Sequence, residues 1–405
     1  MAAALSAPEI LLMVLEHLDF HPLPSITVAN RMHGYTGWPV FDVGAVRAFS
    51  EVCRSWAALA QPLLFRHAVL RKRRHVLSSL AAIIHGSKTR GRLLRDAVYR
   101  ITLSVGPDEE DAHAIQRRPS SSDGLFLGEN LDQPPNTHDL VNLLRSCPDR
   151  GLQLLCVNSV RGKLNGRQPH SEEAHLDTLG LDERALRALK APPSVTCLSV
   201  STCSDKPDRT PWQLLSLLAP TIKILALTGT GHIPEYNGPA LTQLRLNEFI
   251  WMKERAEGWS TIPYILSSSI GHLRSIEAEG THIHPADVLQ QHRMHLESVR
   301  ITQMRSVSSP QQAWLSYPRL KELILDTSDY HAPRGEGQTL LASETMQHLA
   351  GRISDDLELW HAVMERLPNL RTVTVGWKDD VRGLEAECAA QSIEVRSGFS
   401  PRVSL

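Results

Sequence analysis

The segment IKILAL, Ile222–Leu227, carries the pattern that decides the fold of this chain. Its apolar residues Ile222, Leu225 and Leu227 lie at offsets 0, 3 and 5 of the segment. Side chains alternate between the two faces of a strand, so offsets 3 and 5 point into one core. Offset 0 turns the chain inward just before the strand. The segment therefore predicts a short strand with one buried face.

The same spacing recurs along most of the chain. The nine copies are VYRITL (98–103), LQLLCV (152–157), VTCLSV (195–200), IKILAL (222–227), LTQLRL (241–246), LRSIEA (273–278), LESVRI (296–301), LKELIL (320–325) and LRTVTV (370–375). SIEVRS (392–397) is expected to close the array. Nine copies of L-x-x-L-x-L are unlikely by chance, and this spacing is typical of the strand of a leucine-rich repeat.

The repeats predict an irregular α/β solenoid over residues 67–405, with parallel strands and with helices on the convex side. Helical patterns such as PWQLLSLLAP (211–220) lie between copies, and the copies are 19 to 54 residues apart. Only Cys203 meets the asparagine or cysteine expected at offset 8, so the side-chain ladder of regular repeats is not expected. Polar segments rich in Pro, Ser, Gly and Asp predict loop insertions near 104–138, 158–175 and 326–343.

Composition excludes several classes of protein. The 405 residues include 43 Lys and Arg against 44 Asp and Glu, so the net charge gives no case for nucleic acid or an anionic membrane. The sequence contains no run of eighteen uncharged apolar residues, so no membrane span is predicted. The amino-terminal residues lack the basic region of a signal peptide. The six cysteines form no C-x-x-C pair, which argues against a zinc ribbon and favours a reducing compartment, cytoplasmic and/or nuclear.

Two helices are predicted before residue 67. Ser6 and Glu9 have the spacing of a capping box that begins the first helix. The second helix carries an apolar stripe in which Cys53 lies between Phe49 and Trp56, so Cys53 is predicted to be a buried neutral thiol rather than a nucleophile. Two helices cannot bury both stripes alone. The stripe therefore needs a cover from the rest of the chain or from another protein.

APEILLMVLEHL (7–18) and VCRSWAALAQPLLFR (52–66) resemble an F-box, over residues 5–66, as it is often seen in fungal proteins. The resemblance implies helices that dock on the Skp-family adaptor of a cullin-based ubiquitin ligase. By position, it implies an adaptor interface formed by Pro8, Glu9, Ile10, Leu11, Val14, Leu15, Leu18, Val52, Cys53 and Trp56. Ser6 and Ala7 stand where the motif usually has Leu-Pro, and the segment between the helices is longer than usual. A degenerate F-box that packs on the following domain is the alternative.

Signatures of catalysis are scarce in the sequence. The densest titratable cluster is THIHPADVLQQHRMH (281–295), with His282, His284, His292 and His295, but it lacks the H-E-x-x-H spacing of a zinc enzyme. No G-x-S-x-G, P-loop or kinase signature occurs. We therefore predict no catalytic residue, no metal and no cofactor.

The concave face of the predicted solenoid remains as a functional surface. Strand offsets 2, 4 and 6 would point there, and their mixture of charges suits a protein or peptide target better than nucleic acid. The candidate target-binding residues are Gln243, Arg245, Asn247, Glu277, Glu279, Arg300, Thr302, Glu322 and Asp326. The sequence thus predicts a non-catalytic substrate-recognition subunit of an SCF-type ligase, with an unknown protein substrate. The alternative is a leucine-rich-repeat scaffold outside any ligase.

Overall fold

The computed structural model describes residues 43–54, 56–60, 67–85, 88–98, 100–105, 134–147, 152–159, 180–189, 194–202, 208–229, 233–234, 241–253, 261–279, 291–304, 318–327, 345–351, 367–376 and 382–399. The chain divides into two compact units. The first unit comprises Met1–Asn158 and Asp182–Val195, and the second comprises Ser159–Leu181 and Thr196–Leu405. The boundary predicted between residues 66 and 67 stays a prediction.

The described part of the first unit alternates helices and strands. Its elements are α1 Val43–Val52, β1 His67–Leu70, α2 Arg73–His85, α3 Lys88–Ala97, β2 Arg100–Val105, α4 Thr137–Ser146, β3 Leu152–Ser159 and α5 Glu183–Arg187. Strands β1 and β2 pair in parallel, with Leu70 opposite Leu103. Both leucines are buried, as the alternation of a strand with one apolar face requires.

Helix α4 begins within the first loop insertion predicted from the sequence, which therefore ends by residue 136. The Asn136 side chain accepts a hydrogen bond from the Asp139 N–H, and the Asp139 carboxylate accepts one from the Asn136 N–H. This capping box satisfies two N–H groups that a helix start leaves open. Asp139 is buried and also pairs with Arg73 of α2 at 3.3 Å, which ties the two helices together.

The second unit contains a parallel sheet of nine strands, each paired with the next strand along the chain. Its helices are α6 Thr210–Leu218, α7 Thr261–Ser267 and α8 Arg382–Ala390. Its strands are β4 Val195–Thr202, β5 Ile224–Gly229, β6 Glu248–Lys253, β7 Ser275–Glu279, β8 Ser298–Met304, β9 Glu322–Thr327, β10 His348–Gly351, β11 Thr372–Gly376 and β12 Glu394–Phe399. The predicted α/β class with parallel strands is confirmed.

The apolar offsets form the core of this sheet. The offset-0 residues of β5 to β11 are all buried, and so are most residues at offset 3. The buried offset-0 residues are Ile222, Leu246, Leu273, Leu296, Leu320, Met346 and Leu370. Eight of the nine predicted segments overlap an observed strand, and SIEVRS overlaps β12, the last strand.

LTQLRL is the segment in which the prediction is wrong. Residues 241–247 form turns and irregular structure, and the strand is β6 Glu248–Lys253. The correct offsets are Leu246, Phe249 and Trp251, all buried, with the two rings 6.3 Å apart. Both registers satisfy the apolar spacing, so only the pairing with β5 distinguishes them. Strand β10 was not predicted because its spacing residues include a glycine, Gly351, in place of the third apolar side chain.

A main-chain ladder joins successive coils at offset 1, just before each strand. The carbonyl of Lys223 accepts the N–H groups of Asn247 (2.7 Å) and Glu248 (3.1 Å), and the same pair of bonds recurs at the next five coils. In regular repeats, the side chain at offset 8 forms hydrogen bonds with main-chain N–H and carbonyl groups. Here these groups bond to each other, which requires no particular residue type. Coil stacking is therefore regular here although the sequence is not. Among the described residues, no helix has the length and apolar character needed to cross a membrane.

Candidate functional site: the polar face of the nine-stranded sheet

The helical segment that resembles an F-box exposes part of its apolar stripe. Val52 is 60% exposed, Trp56 is half-buried and Ala60 is fully buried. Cys53 is exposed and lies between the end of α1 at Val52 and the helical residues that begin at Arg54. The predicted burial of Cys53 is therefore wrong, because α1 ends at Val52 instead of continuing through it. The first-helix positions, Pro8, Glu9, Ile10, Leu11, Val14, Leu15 and Leu18, lie outside the described residues.

The middle row of the sheet face opposite the core is closed to solvent from β4 to β9. Offset 4 alternates with the core offsets 3 and 5, so it points to the other face. Glu277 is only 3% exposed and Arg300 only 6%. The buried row runs across neighbouring strands as Ser199, Ala226, Ile250, Glu277, Arg300 and Ile324.

Glu277 and Arg300 form an ion pair within this row. They are directly opposite each other on β7 and β8, and Arg300 Nε lies 3.5 Å from Glu277 Oε1. The neighbours on either side are Ile250 and Ile324. Burying either charge alone costs several kcal/mol, and the pairing offsets much of that cost. Both residues lie on strands as predicted, but as buried partners of each other they are not solvated contacts for a target.

A chain of four polar side chains crosses β8 to β11 beside this pair. Ser298 Oγ donates to Glu322 Oε2 at 2.7 Å. His348 Nδ1 lies 3.3 Å from Glu322 Oε1, and His348 Nε2 lies 2.9 Å from Thr374 Oγ1. An ionised carboxylate only accepts, so Nδ1 of His348 carries a proton and donates to Glu322. The four side chains therefore form one continuous hydrogen-bonded chain across the strands.

The electrostatics of Glu322 follow from this chain. The hydrogen bond from His348 lowers the pKa of Glu322, burial raises it, and the hydrogen bond from Ser298 and the charges of His348 and Arg300 lower it further. The net shift is downward, so Glu322 stays ionised at neutral pH. Glu322 was predicted as a site residue, whereas His348 and Thr374 were missed. Thr374 sits at offset 4 of a predicted strand and could have been found, but His348 lies on the unpredicted β10.

The remaining predicted site residues divide into two groups. Gln243, Arg245 and Asn247 were assigned to the concave face through the wrong strand register. Arg245 Nη1 instead donates to the carbonyls of Thr242 (2.7 Å), Leu244 (2.8 Å) and Ser268 (2.9 Å), a structural role. The others lie on β7, β8 and β9 in one cross-strand row, as predicted: Glu279, Thr302 and Asp326.

The histidine cluster lies partly in the described region. His292 is 1% exposed, and burial together with the charge of His295 lowers its pKa to about 4. His282 and His284 lie outside the described residues. Within the ranges that the structure describes, no group of three His, Cys, Asp or Glu side chains is arranged to hold a metal ion. Burial also raises the pKa of Cys147 to about 12, so this thiol stays protonated.

Comparison with known proteins leaves the family of this chain open. No protein-family model matches the sequence, and no curated protein matches it either.

Proposed function

We propose that this protein is the substrate-recognition subunit of an SCF-type cullin ubiquitin ligase. The observation that carries the proposal is the exposed apolar surface of Val52 and Cys53 beside the half-buried Trp56, because these residues belong to the V-C-R-x-W segment that resembles an F-box. An apolar patch of this kind is typical of a surface that another protein covers. In this proposal the patch docks on the Skp-family adaptor, which in turn binds the cullin scaffold.

The second unit would bind the protein target. Its sheet carries ordered polar side chains on the face opposite the core, and hydrogen bonds join four of them in the chain Ser298–Glu322–His348–Thr374. A rigid array of this kind favours recognition of a complementary protein surface. The contribution to ubiquitin transfer would be proximity and orientation, with no covalent chemistry by this chain. The cytoplasm and the nucleus are the compartments in which such a ligase would act.

Two other functions have less support. A leucine-rich-repeat scaffold with a degenerate F-box would share the sheet but would not bind the adaptor. A hydrolase active site formed by Glu322, His348 and Thr374 would also need hydrogen-bond donors that stabilise an oxyanion. The residues around Thr374 lie in a central strand that pairs with both β10 and β12, so its main-chain groups face neighbouring strands.

Adaptor binding by a Val52→Asp variant tests the proposal. Val52 is largely exposed, so the substitution should change the free energy of unfolding by about 0.5 kcal/mol or less. An aspartate buried in an apolar interface costs several kcal/mol, which should weaken adaptor binding by about 100-fold or more. Ala58→Asp is the matched control, since Ala58 is exposed on the following helical residues and lies outside the implied interface.

Affinity would be measured by titrating purified Skp-family adaptor with the full chain. The proposal expects tight binding by the natural chain and by Ala58→Asp, and loss of binding by Val52→Asp. If the natural chain does not bind the adaptor, or if Val52→Asp binds as the natural chain does, the scaffold function is favoured.

A further inference from the structure

A row of solvated side chains follows the amino ends of the strands in the second unit. These are the offset-1 residues, whose main-chain groups bond directly from coil to coil. Their side chains are also neighbours, because Glu297 Oε2 lies 2.6 Å from Lys321 Nζ and Glu297 Oε1 lies 4.0 Å from Arg274 Nε. All of them are at least partly exposed, in contrast to the buried offset-4 row.

Positive charge alternates along this row. The coils before β5, β7, β9 and β11 contribute Lys223, Arg274, Lys321 and Arg371. We call these four residues the cation row. The intervening coils before β6, β8 and β10 contribute Asn247, Glu297 and Gln347, of which only Glu297 is charged. The row therefore carries an excess of positive charge although the whole chain is nearly neutral.

The spacing of the cation row matches one kind of extended chain. Neighbouring strands lie about 4.8 Å apart, so cations on every second coil lie about 9.6 Å apart along the sheet. A polyproline II segment rises about 3.1 Å per residue with three residues per turn, which brings every third side chain back to the same face after about 9.3 Å. A β-strand returns to the same face after about 6.6 Å and so does not fit this repeat.

We propose that the cation row binds an extended polypeptide segment with an acidic side chain at every third residue. Four such residues span a segment of about ten residues that crosses the amino ends of β5 to β11. This proposal rests on the proposed function only in assigning target recognition to the second unit, and it does not depend on adaptor binding. A nucleic-acid strand is a poorer match, since it carries a negative charge about every 3.4 Å along a duplex.

Glu297 would select the register of the ligand. It lies between Arg274 and Lys321, and the hydrogen bond from Lys321 together with the charges of nearby cations lowers its pKa. A ligand with acids three residues apart places none of them at Glu297. A ligand with adjacent acids places one there, where the two negative charges repel.

Peptide binding to the full chain tests the proposal by fluorescence anisotropy. The probe is a labelled peptide of four Asp-Ala-Pro repeats, because the residue before proline favours the extended region. The matched peptide has the same composition with its four aspartates adjacent. We expect the repeat peptide to bind about fivefold or more tightly than the matched peptide at low salt.

Variants of the chain then locate the site. Lys223→Gln with Arg371→Gln should weaken binding of the repeat peptide by about 2- to 30-fold, from about 0.2–1 kcal/mol for each solvated ion pair lost. Arg92→Gln with Arg187→Gln removes the same charge from exposed positions of the first unit and should leave binding unchanged. Glu297→Gln should improve binding of the adjacent-aspartate peptide more than that of the repeat peptide.

Three results would overturn the inference: equal affinity for the two peptides, no effect of the double substitution in the cation row, or tighter binding of single-stranded DNA of similar length. Adaptor titration with the same cation-row variant separates this inference from the proposed function. Peptide binding without adaptor binding would refute the ligase role and keep the cation row as a peptide site. Adaptor binding without peptide binding would refute the cation row as a peptide site and keep the ligase role.

Discussion

Replacing Arg300 by methionine should cost this protein several kcal/mol of stability. Arg300 and Glu277 are almost completely buried, 3.5 Å apart, between two isoleucines of the same row. The substitution leaves the Glu277 carboxylate without its guanidinium partner in a region of low dielectric constant. Breaking one side of a buried ion pair typically costs about 3–5 kcal/mol. For a unit of this size, that loss lowers the midpoint of thermal unfolding by about 6–20 °C.

The double variant Glu277→Leu with Arg300→Met tests the physical reason. It removes both charges and extends the apolar row between Ile250 and Ile324, so its stability should lie within about 1 kcal/mol of the natural chain or above it. The two single variants and the double variant form a double-mutant cycle, and the coupling energy should be about 2 kcal/mol or more. Urea unfolding at pH 7, followed by far-ultraviolet circular dichroism, measures all four proteins.

Lys321→Met is the matched control for this cycle. Its ion pair with Glu297 is shorter, at 2.6 Å, but both side chains are solvated, so the loss should be at most about 1 kcal/mol. A cost below about 1 kcal/mol for Arg300→Met, or additive effects of the two single substitutions, would show that the offset-4 row is open to water. That result would refute the buried character of this face and restore Glu277 and Arg300 as target contacts.

Three further predictions concern His292, Gly229 and the cap of α4. The pKa of His292 falls from 6.5 to about 4 on folding, so its contribution to stability is complete above pH 6.5 and is lost as the pH falls towards 4, by about 2 kcal/mol at pH 5. His292→Leu should remove that part of the pH dependence of the free energy of unfolding. An unchanged dependence on pH would contradict the burial of His292. Gly229→Ala should cost more than about 2 kcal/mol in thermal unfolding, because φ is +96° and the added Cβ would lie 2.2 Å from the Thr202 carbonyl oxygen. Gly271→Ala, at φ +85°, brings its Cβ no closer than 3.9 Å to His295 Nε2 and should cost about 1 kcal/mol, so equal losses for the two variants refute the clash. Asn136→Ala should cost about 1 kcal/mol by urea unfolding through loss of the α4 cap, and an effect below about 0.3 kcal/mol would mean that water replaces the cap.

The sequence predicted the sheet well because its core depends on a short local repeat. Leu225 and Leu227 of IKILAL are buried on β5 as the offsets required, and the parallel strands follow in chain order. LTQLRL failed because Leu241, Leu244 and Leu246 are buried as well, so burial alone cannot select the register. The choice depends on hydrogen bonds to β5, which no local spacing encodes.

The candidate site was less predictable than the core. Glu277, Arg300 and Glu322 were found because the repeat assigns them to the opposite face of the sheet. The different surroundings of these three residues were not predicted, because the burial of a polar residue depends on which side chains the neighbouring strands place beside it. His348 was missed because β10 breaks the apolar pattern at Gly351.

The sequence by itself determined the α/β class of this fold, the parallel arrangement of most of its strands and most of the side chains that form its core. These features follow from alternation within a few residues, which is a local property of the chain. Only the tertiary structure decided which polar residues of the face are buried in pairs, which form a hydrogen-bonded chain and which line the solvated edge. Those properties arise when residues more than twenty positions apart become neighbours across strands, and hydrogen-bond register and desolvation then set their energies.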